Sequence, residues 1–392
     1  MKIAIYSGNI PSTVFIENLI EGLALEGFEI YLFGKQTHRV KYNGKVKIIP
    51  TPVSAINLIA FVLKESLKLL FSDPKLFIDC SKKMWIKNRK FKNFFKEMGV
   101  LLPVLNNKPD VFHIQWAKTV EQYPEIFDLL DCKFAVSLRG AHINYSPLTD
   151  INLGNAYKKY FPKIDGFHAV SNAIGSEAEK YGADKKKITV IHSSVREELL
   201  QKESIPYQSN QTLEVLSIGR FHWKKGYHYA LDSINILNNN GVDIKYTIIA
   251  QGEVPEEILF MINDFDIKDK VQIIKGLSYD NLIEKLQECH LLLLPSVEEG
   301  IANVVLEAMA VGVPVITTDC GGMNEVVNDK ANGYIVPVRN PEAIVKKVKE
   351  FIETDFEFKS KMIVNAKETI KNEFSRMKQV KEFSEFYRLL VN

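Results

Sequence analysis

The chain has few cysteines. Four stand in 392 residues, Cys80, Cys132, Cys289 and Cys320, and they form no zinc-type spacing. Thiols this sparse suit a reducing cytosol. The net charge is only +2, so no global field points to nucleic acid. No apolar run reaches the ~18 residues that suggest a membrane span. The opening residues, MKIAIYSGN, read as a strand and not as a secretory leader. There is no short internal repeat and no low-complexity tract. What is present is ordinary for a globular protein: 46% hydrophobic and 25% charged residues. The length exceeds one ordinary core, so two domains are the default.

Strands alternate with helices along the chain. KIAIY (2–6) leads through a loop to an amphipathic helix near 13–26, then FEIYLF (28–33). DVFHIQ (110–115), FAVSL (134–138), GFHAV (166–170) and ITVIH (188–192) follow. Each is a short, nearly continuous apolar run, as expected of strands buried on both faces of a parallel sheet. QKESIPYQSNQT (201–212) is polar, carries Pro206 and reads as a linker. The alternation then resumes with LEVLSIG (213–219), IKYTIIA (244–250), KVQIIKG (270–276), HLLLLP (290–295) and VPVITT (313–318). The expected architecture is α/β, with two Rossmann-like, doubly wound domains, 1–205 and 206–392, facing a cleft. Ligands in such sheets bind beyond the carboxyl ends of the strands.

One such end carries two acids. LLLLP is followed by SVEEG and then by ANVVLEAMAVG, so a helix is expected from Ile301 or Ala302. Gly300 allows close approach to the backbone. The free N–H groups of the first turn, around Ile301, Ala302 and Asn303, make an anion site. Glu299 precedes that turn and Glu307 lies about two turns into it. Eight residues rotate the side-chain direction by about 80° at 100° per residue, so the two carboxylates address different parts of an extended ligand. A carboxylate accepts hydrogen bonds well from paired hydroxyls, which sugar and ribose rings present. The alternative is that both are solvated or capping residues. Against it, Glu307 lies among Val304, Val305, Leu306, Ala308 and Met309 and needs a partner there.

A second strand end, SIGRFHWKKG, places Arg220 and Lys225 before a helix. Two fixed cations at a cleft can stabilise a departing diphosphate. The alternative is a solvated loop.

With these motifs in hand, the chain resembles a retaining glycosyltransferase of family 4 with the GT-B fold. Glu299 and Glu307 match that family's Glu-x7-Glu signature, and GRFHWKKG its Arg-x4-Lys pair. GGMNEVVNDKANGYIVPVRNPEAI (321–344) and AVSNAIGSEAEKYGADKKKITVIHSSV (169–195) resemble further family segments. EGIAN resembles the subgroup that assembles polysaccharides and lipopolysaccharides. The resemblance implies a C-terminal helix, about 375–392, that returns to the first domain. It implies that Arg220 and Lys225 bind the donor diphosphate, Glu299 the transferred sugar and Glu307 the ribose. Backbone from Gly300 to Asn303 would hold phosphate or sugar. Gln251, Gly276 and Leu277 would lie near the base. The loop 7–11, with Gly8 and Asn9, would approach the diphosphate. The donor is expected to be a nucleotide sugar, a uridine diphosphate sugar by family frequency, with no metal or other cofactor. The acceptor is expected to be a glycan or lipid-linked molecule in cell-surface polysaccharide or glycolipid synthesis. Front-face attack, with the departing phosphate taking the acceptor proton, needs no protein nucleophile. The protein then supplies orientation and charge stabilisation.

The chain departs from the family in places. Arg139, Gly140, Ala141 and His142 stand where HGxD is usual, so the histidine role falls to Arg139 or His142. HSSV (192–195) replaces NGVD. The first loop, SGNIPS, lacks G-x-G-x-x-G, which weighs against a nicotinamide enzyme. DFD at 264–266 imitates a metal motif of a different fold but sits where a turn needs polar residues. His113, His168 and His290 read as core or strand-end residues. His222, between Arg220 and Lys225, reads equally as a site residue or an exposed loop residue.

KKMWIKNRKFKNFFKEM (82–98) reads as a cationic amphipathic helix. Lys82, Lys83, Lys87, Arg89, Lys90, Lys92 and Lys96 face one acid, Glu97, and Met84, Phe91, Phe94, Phe95 and Met98 can share a face with Trp85 near its edge. Such a helix can lie on an anionic membrane, making the protein peripheral on the cytoplasmic face; the alternative is ordinary packing on the first domain. Two other function classes stay open beside the transferase. One is a GT-B-like sugar-nucleotide epimerase or phosphorylase. The other is a non-catalytic nucleotide-sugar-binding subunit.

Overall fold

The computed structural model describes residues 1–88, 90–208 and 211–392. They form two compact units: Met1–Ile191 with Gln379–Asn392, and His192–Lys378.

The first unit holds a seven-stranded parallel sheet. Its strands are β1 (Lys2–Ile10), β2 (Glu29–Gln36), β3 (Val46–Pro50), β4 (Val111–Ile114), β5 (Lys133–Leu138), β6 (Gly166–Ala169) and β7 (Ile188–Val190). Their order is β3-β2-β1-β4-β5-β6-β7. The apolar runs are buried on both faces. Ala4 and Tyr6 enter one core, while Ile3 and Ile5 enter the other. Strand β3 escapes the sequence reading because VKIIP is short and half-exposed at the sheet edge.

The second unit holds a six-stranded parallel sheet. Its strands are β8 (Leu213–Ile218), β9 (Ile244–Ala250), β10 (Val271–Lys275), β11 (Leu291–Leu294), β12 (Val315–Thr318) and β13 (Tyr334–Val336), ordered β10-β9-β8-β11-β12-β13. On β11, Leu292 and Leu294 join one core, and Leu291 and Leu293 the other. Both sheets reverse their order in the middle, at β1/β4 and at β8/β11. These are the switch points where a doubly wound sheet opens its ligand crevice.

The α/β, doubly wound architecture expected from the sequence is therefore present, and so is the returning C-terminal helix. Arg376–Val391 is helical, and its Val380, Phe383, Phe386 and Tyr387 pack in the core with Ile3, Ile5 and Ile191.

The single helix expected over 82–98 is not formed. One helix, Pro74–Lys87, ends at Asn88 in extended backbone, and another runs Phe91–Asn107. Arg89 lies outside the described residues. The apolar positions of the stretch serve the interior: Met84 and Met98 are buried, and Phe94 and Phe95 are partly so. Its charges are partly neutralised. Lys87 pairs with Glu97 at 3.1 Å and Glu125 at 3.0 Å, and Lys83 with Asp128 at 3.2 Å. Three-dimensional packing thus breaks a face that looked continuous in one dimension.

Candidate functional site

The second unit's switch point is built by the loops after β8 and β11. After β8 come Gly219, exposed Arg220 and a short 3-10 turn, Trp223–Lys225. His222 opens that turn by accepting a hydrogen bond from the Lys224 N–H, 3.4 Å. Gly226 closes it with φ of 63°, and a Cβ there would stand 2.1 Å from the Pro295 carbonyl oxygen. The two loops are also tied by the Val297 N–H donating to the Lys224 carbonyl, 2.7 Å.

That contact delivers the lysines to the acids. Lys225 Nζ lies 2.6 Å from Glu299 Oε1, and Lys224 Nζ lies 3.5 Å from Glu299 and 3.8 Å from Glu298. Ser296 Oγ donates to Glu299 at 3.1 Å. Glu299 is buried at 6% exposure, which opposes its ionisation, but Lys225 and Lys224 outweigh burial and hold its carboxyl below the usual range. Arg220 has no ion pair among the described residues and stays available at the surface. The backbone of Glu299 is pinned from behind. A Cβ on Gly321, φ 56°, would sit 1.8 Å from the Glu299 carbonyl oxygen, and the Gly322 N–H donates to the Gly300 carbonyl at 2.8 Å.

The helix after this loop starts later than expected, at Asn303, with Ala302 as its cap residue. The Ala302 N–H is not free for an anion: it faces Met323 Sδ at 3.4 Å. The sequence pattern could not show this, because Met323 comes from a later segment. Ile301 and Asn303 are half-buried and Gly300 is buried at the same helix entrance.

Glu307, half-buried on that helix, has a partner from another strand end. Gly276, φ 58°, and Leu277 follow β10, and Ser278 caps the helix Tyr279–Glu288 by accepting from the Asn281 N–H, 3.3 Å. Tyr279 hydrogen-bonds Glu307, and the Arg196 guanidinium lies 4.5 Å from the Tyr279 ring centre. Burial raises the Glu307 carboxyl to about 7, against the opposing pull of Tyr279 and Arg196. Gln251 is exposed just beyond β9. The structure therefore gathers Arg220, Lys225, Glu299 and Gly300 around one pair of loops. Gly276 and Leu277 connect to Glu307 through Tyr279.

The first unit builds a different set around Trp116. Its indole N–H donates to the Ser7 carbonyl at 3.0 Å, beside Gly8, whose φ is 82°, and exposed Asn9. The His142 ring centre lies 5.4 Å from the Trp116 ring. Arg139 packs over Phe15 at 4.4 Å and Trp116 at 5.8 Å. Burial lowers the His142 pKa to about 4, with Lys118 and Arg139 adding to the effect, so the ring is neutral at pH 7. Its Nδ1 is buried with no hydrogen-bond partner among the described residues.

Arg139 is held by a chain that sequence reasoning missed. Arg139 Nη2 donates to Gln115 Oε1 at 3.0 Å. Gln115 Nε2 then donates to His113 Nδ1 at 3.1 Å, as does the Tyr387 hydroxyl at 2.6 Å. His113 Nε2 donates to Ser137 Oγ, 2.9 Å; Ser137 donates to His168 Nδ1, 2.8 Å; His168 Nε2 donates to the Ile191 carbonyl, 2.8 Å. With both rings neutral and protonated on Nε2, every bond has one donor and one acceptor. Burial pushes His113 down to about 3, consistent with that state. No spacing rule could find Tyr387, which lies 274 residues from His113.

Among the described residues, no group of three His, Cys, Asp or Glu side chains is placed to hold a metal ion. His290 is a strand-end residue, accepting from the Glu214 N–H at 3.0 Å.

Comparison with known proteins places this geometry. Residues 196–369 match the family described as glycosyl transferases group 1. The chain is 26% identical over 227 residues to a putative colanic acid biosynthesis glycosyltransferase, WcaL, of Escherichia coli, covering 56% of this chain and 55% of the relative. It is 26% identical over 259 residues to the amylovoran biosynthesis glycosyltransferase AmsK of Erwinia amylovora, covering 62% and 63%. The matched part thus spans between about half and two thirds of these curated relatives. Among solved structures, a glycosyltransferase of Rickettsia africae aligns with TM-score 0.70 at 17% identity over 100% of this chain and 98% of that one. Anabaena HepE in complex with UDP-glucose aligns with TM-score 0.71 at 13% identity over 99% and 100%. Residues 196–369, within the second unit, thus match the glycosyl transferases group 1 family, and the two parallel-sheet units share the fold of these solved structures.

Proposed function

We propose that the protein is a retaining glycosyltransferase that moves a hexose from a nucleotide diphosphate sugar, a uridine diphosphate sugar by preference, to a glycan or lipid-linked acceptor. The product would serve cell-surface polysaccharide or glycolipid assembly at the cytoplasmic face of a membrane. The observation that carries the reading is the pairing of Lys225 with buried Glu299 at 2.6 Å beside exposed Arg220, at the carboxyl ends of β8 and β11. Two cations there are suited to a diphosphate whose charge grows as it leaves. The adjoining carboxylate, kept ionised by Lys225 and Lys224, is suited to accept hydrogen bonds from sugar hydroxyls. Glu307 takes the ribose, and Gln251, Gly276 and Leu277 lie toward the base. Gly8 and Asn9 serve the diphosphate, and Arg139 and His142 the donor sugar or acceptor. In this mechanism the departing phosphate accepts the acceptor's proton. The residues named bind, orient and neutralise, without forming a covalent bond to the sugar.

The relatives named for colanic acid and amylovoran synthesis support the substrate class, and the HepE complex with UDP-glucose supports the donor class. The test is a screen of nucleotide sugars by thermal shift, followed by turnover with glycan acceptors and magnetic-resonance assignment of the product anomer. Stabilisation by a nucleotide diphosphate sugar and a product of unchanged anomeric configuration are expected. An inverted product would overturn retention. Isomerisation of the sugar without any acceptor would overturn transfer. Because the clamp uses side-chain cations, EDTA is expected to leave activity in place.

A further inference from the structure

The helix Ala55–Ser72 of the first unit is apolar on two opposite sides. Val62 and Leu69 are buried together with Glu65, and Leu58 packs partly against the same core. On the other side Ile56, Ile59, Leu63, Leu67, Leu70 and Phe71 are exposed, Ile56 at 82% and Phe71 at 84%. At 100° per residue these six fall within an arc of about 120°, roughly opposite the buried face. From Ile56 to Phe71 the stripe is about 23 Å long. One exposed leucine needs no explanation; a continuous apolar stripe along a whole helix marks a surface that something covers.

The charges nearby say what covers it. Lys64 and Lys68 lie along one edge of the stripe on the same helix. Among the described residues from 55 to 96, eight exposed lysines stand against one exposed acid, Asp79. A second copy of the chain seated on this face would bring lysines against lysines. An anionic surface would complement them. No helix among the described residues is long and apolar enough to cross a membrane. An apolar face fringed by lysines on such a helix is the pattern of one that lies in the interface.

We propose that the helix Ala55–Ser72 lies in the plane of an anionic lipid bilayer. Its exposed stripe enters the acyl boundary, and Lys64 and Lys68 on the same helix, with Lys75 just beyond its end, meet the headgroups. This deepens the peripheral placement proposed above and moves the contact from 82–98 to a different helix. It does not depend on the sugar-transfer chemistry.

The experiment is sedimentation of the full chain with phosphatidylcholine vesicles, with and without phosphatidylglycerol, at low and high salt. Wild type is expected to pellet with the anionic vesicles and to be only partly released by salt. A variant with Ile59→Ser, Leu63→Ser, Leu67→Ser and Phe71→Ser is expected to bind at least about tenfold more weakly, because the inserted apolar area is gone. Lys64→Glu and Lys75→Glu together are expected to erase the preference for anionic lipid. Wild type left in the supernatant at low salt overturns the proposal, as does a serine variant that binds like wild type. A wild-type dimer that the serine variant dissolves, with no vesicle binding by either, assigns the stripe to a second copy and also overturns it. Should the serine variant not fold, Leu67→Trp with brominated anionic lipid decides: quenching of the added emission supports insertion, and unquenched emission contradicts it. Turnover of a water-soluble acceptor without vesicles is expected to be unchanged in the folded serine variant. Loss of vesicle binding is thereby separated from failure of the transferase reading.

Discussion

Lys225 and Glu299 lie 74 residues apart and meet as a buried ion pair, whereas Arg139 is held by a neutral chain of Gln115, His113 and Tyr387 that spans 274 residues. Both arrangements sit at the carboxyl ends of parallel strands near a switch point. They differ in what they ask of the solvent. The second unit keeps charge on Glu299 by setting two lysines against it, so removing one partner leaves a buried charge poorly compensated. The first unit keeps His113 neutral and links it to its neighbours by single hydrogen bonds, two of them onto Nδ1, so removing one member costs about one hydrogen bond. Substitutions at the Glu299 cluster should therefore be felt in turnover as well as in stability, and those in the first unit's chain mainly in stability and positioning.

The sharpest break in that contrast comes from Glu299→Gln. It leaves Lys225 without its ionised partner and Lys224 with Glu298 alone, and on the proposed role it weakens acceptance from sugar hydroxyls, so kcat is expected to fall roughly 30- to 1000-fold, on the ~2–4 kcal/mol typical of a contact made strongest in the transition state. Steady-state kinetics over donor concentration check this. A change confined to KM would give the sugar contact to another residue.

Gly321→Ala tests the support behind the same carboxylate. Its Cβ would overlap the Glu299 carbonyl oxygen in a backbone conformation that side chains rarely adopt. A loss of roughly 2–4 kcal/mol in chemical denaturation is expected, with turnover reduced alongside it. Unchanged stability would mean that the two loops are not packed as described.

Glu307 gives the comparison a pH axis. Burial raises its carboxyl from 4.5 to about 7, so between those values the folded state holds a proton that the unfolded chain has released. Its contribution to stability is therefore complete below pH 4.5 and is lost as pH rises through 7. Glu307→Gln is expected to remove this loss and to be the more stable protein at pH 8, by roughly 1–3 kcal/mol. The check is denaturation midpoints from pH 5 to 8 for both proteins; parallel curves would contradict the raised carboxyl.

The smallest effect is expected from Tyr387→Phe. It removes one donor to His113 Nδ1 while Gln115 remains, so stability should fall by about 1 kcal/mol. Turnover should fall only through a looser Arg139, with KM moving more than kcat. A Tyr387→Phe variant as impaired as Glu299→Gln would erase the distinction between the two units.

The contrast also explains what could be read from the amino-acid order. Glu299, Glu307, Arg220 and Lys225 lie within two short motifs, and LLLL and VITT mark strands buried on both faces, so the second unit's sheet and its charged loops were legible. The Ala302 N–H was misjudged because its acceptor, Met323 Sδ, belongs to a later segment. Lys224, adjacent to Lys225, could have been singled out by its neighbour, but its burial between Glu298 and Glu299 required the fold. Gln115, Tyr279 and Tyr387 carry no local pattern, because their partners come from distant strands and helices. The cationic helix over 82–98 failed for the related reason that helical periodicity does not reveal where a chain turns back on itself.

The central claim is that Arg220 and Lys225 form the diphosphate clamp, and the most direct test is donor turnover by Arg220→Ala and Lys225→Ala beside their melting temperatures. The account predicts that each variant loses most activity, on the order of 30- to 1000-fold from ~2–4 kcal/mol of transition-state stabilisation. Arg220→Ala should melt like wild type, because Arg220 is exposed and has no ion pair among the described residues. Near-normal turnover in both variants would contradict the clamp.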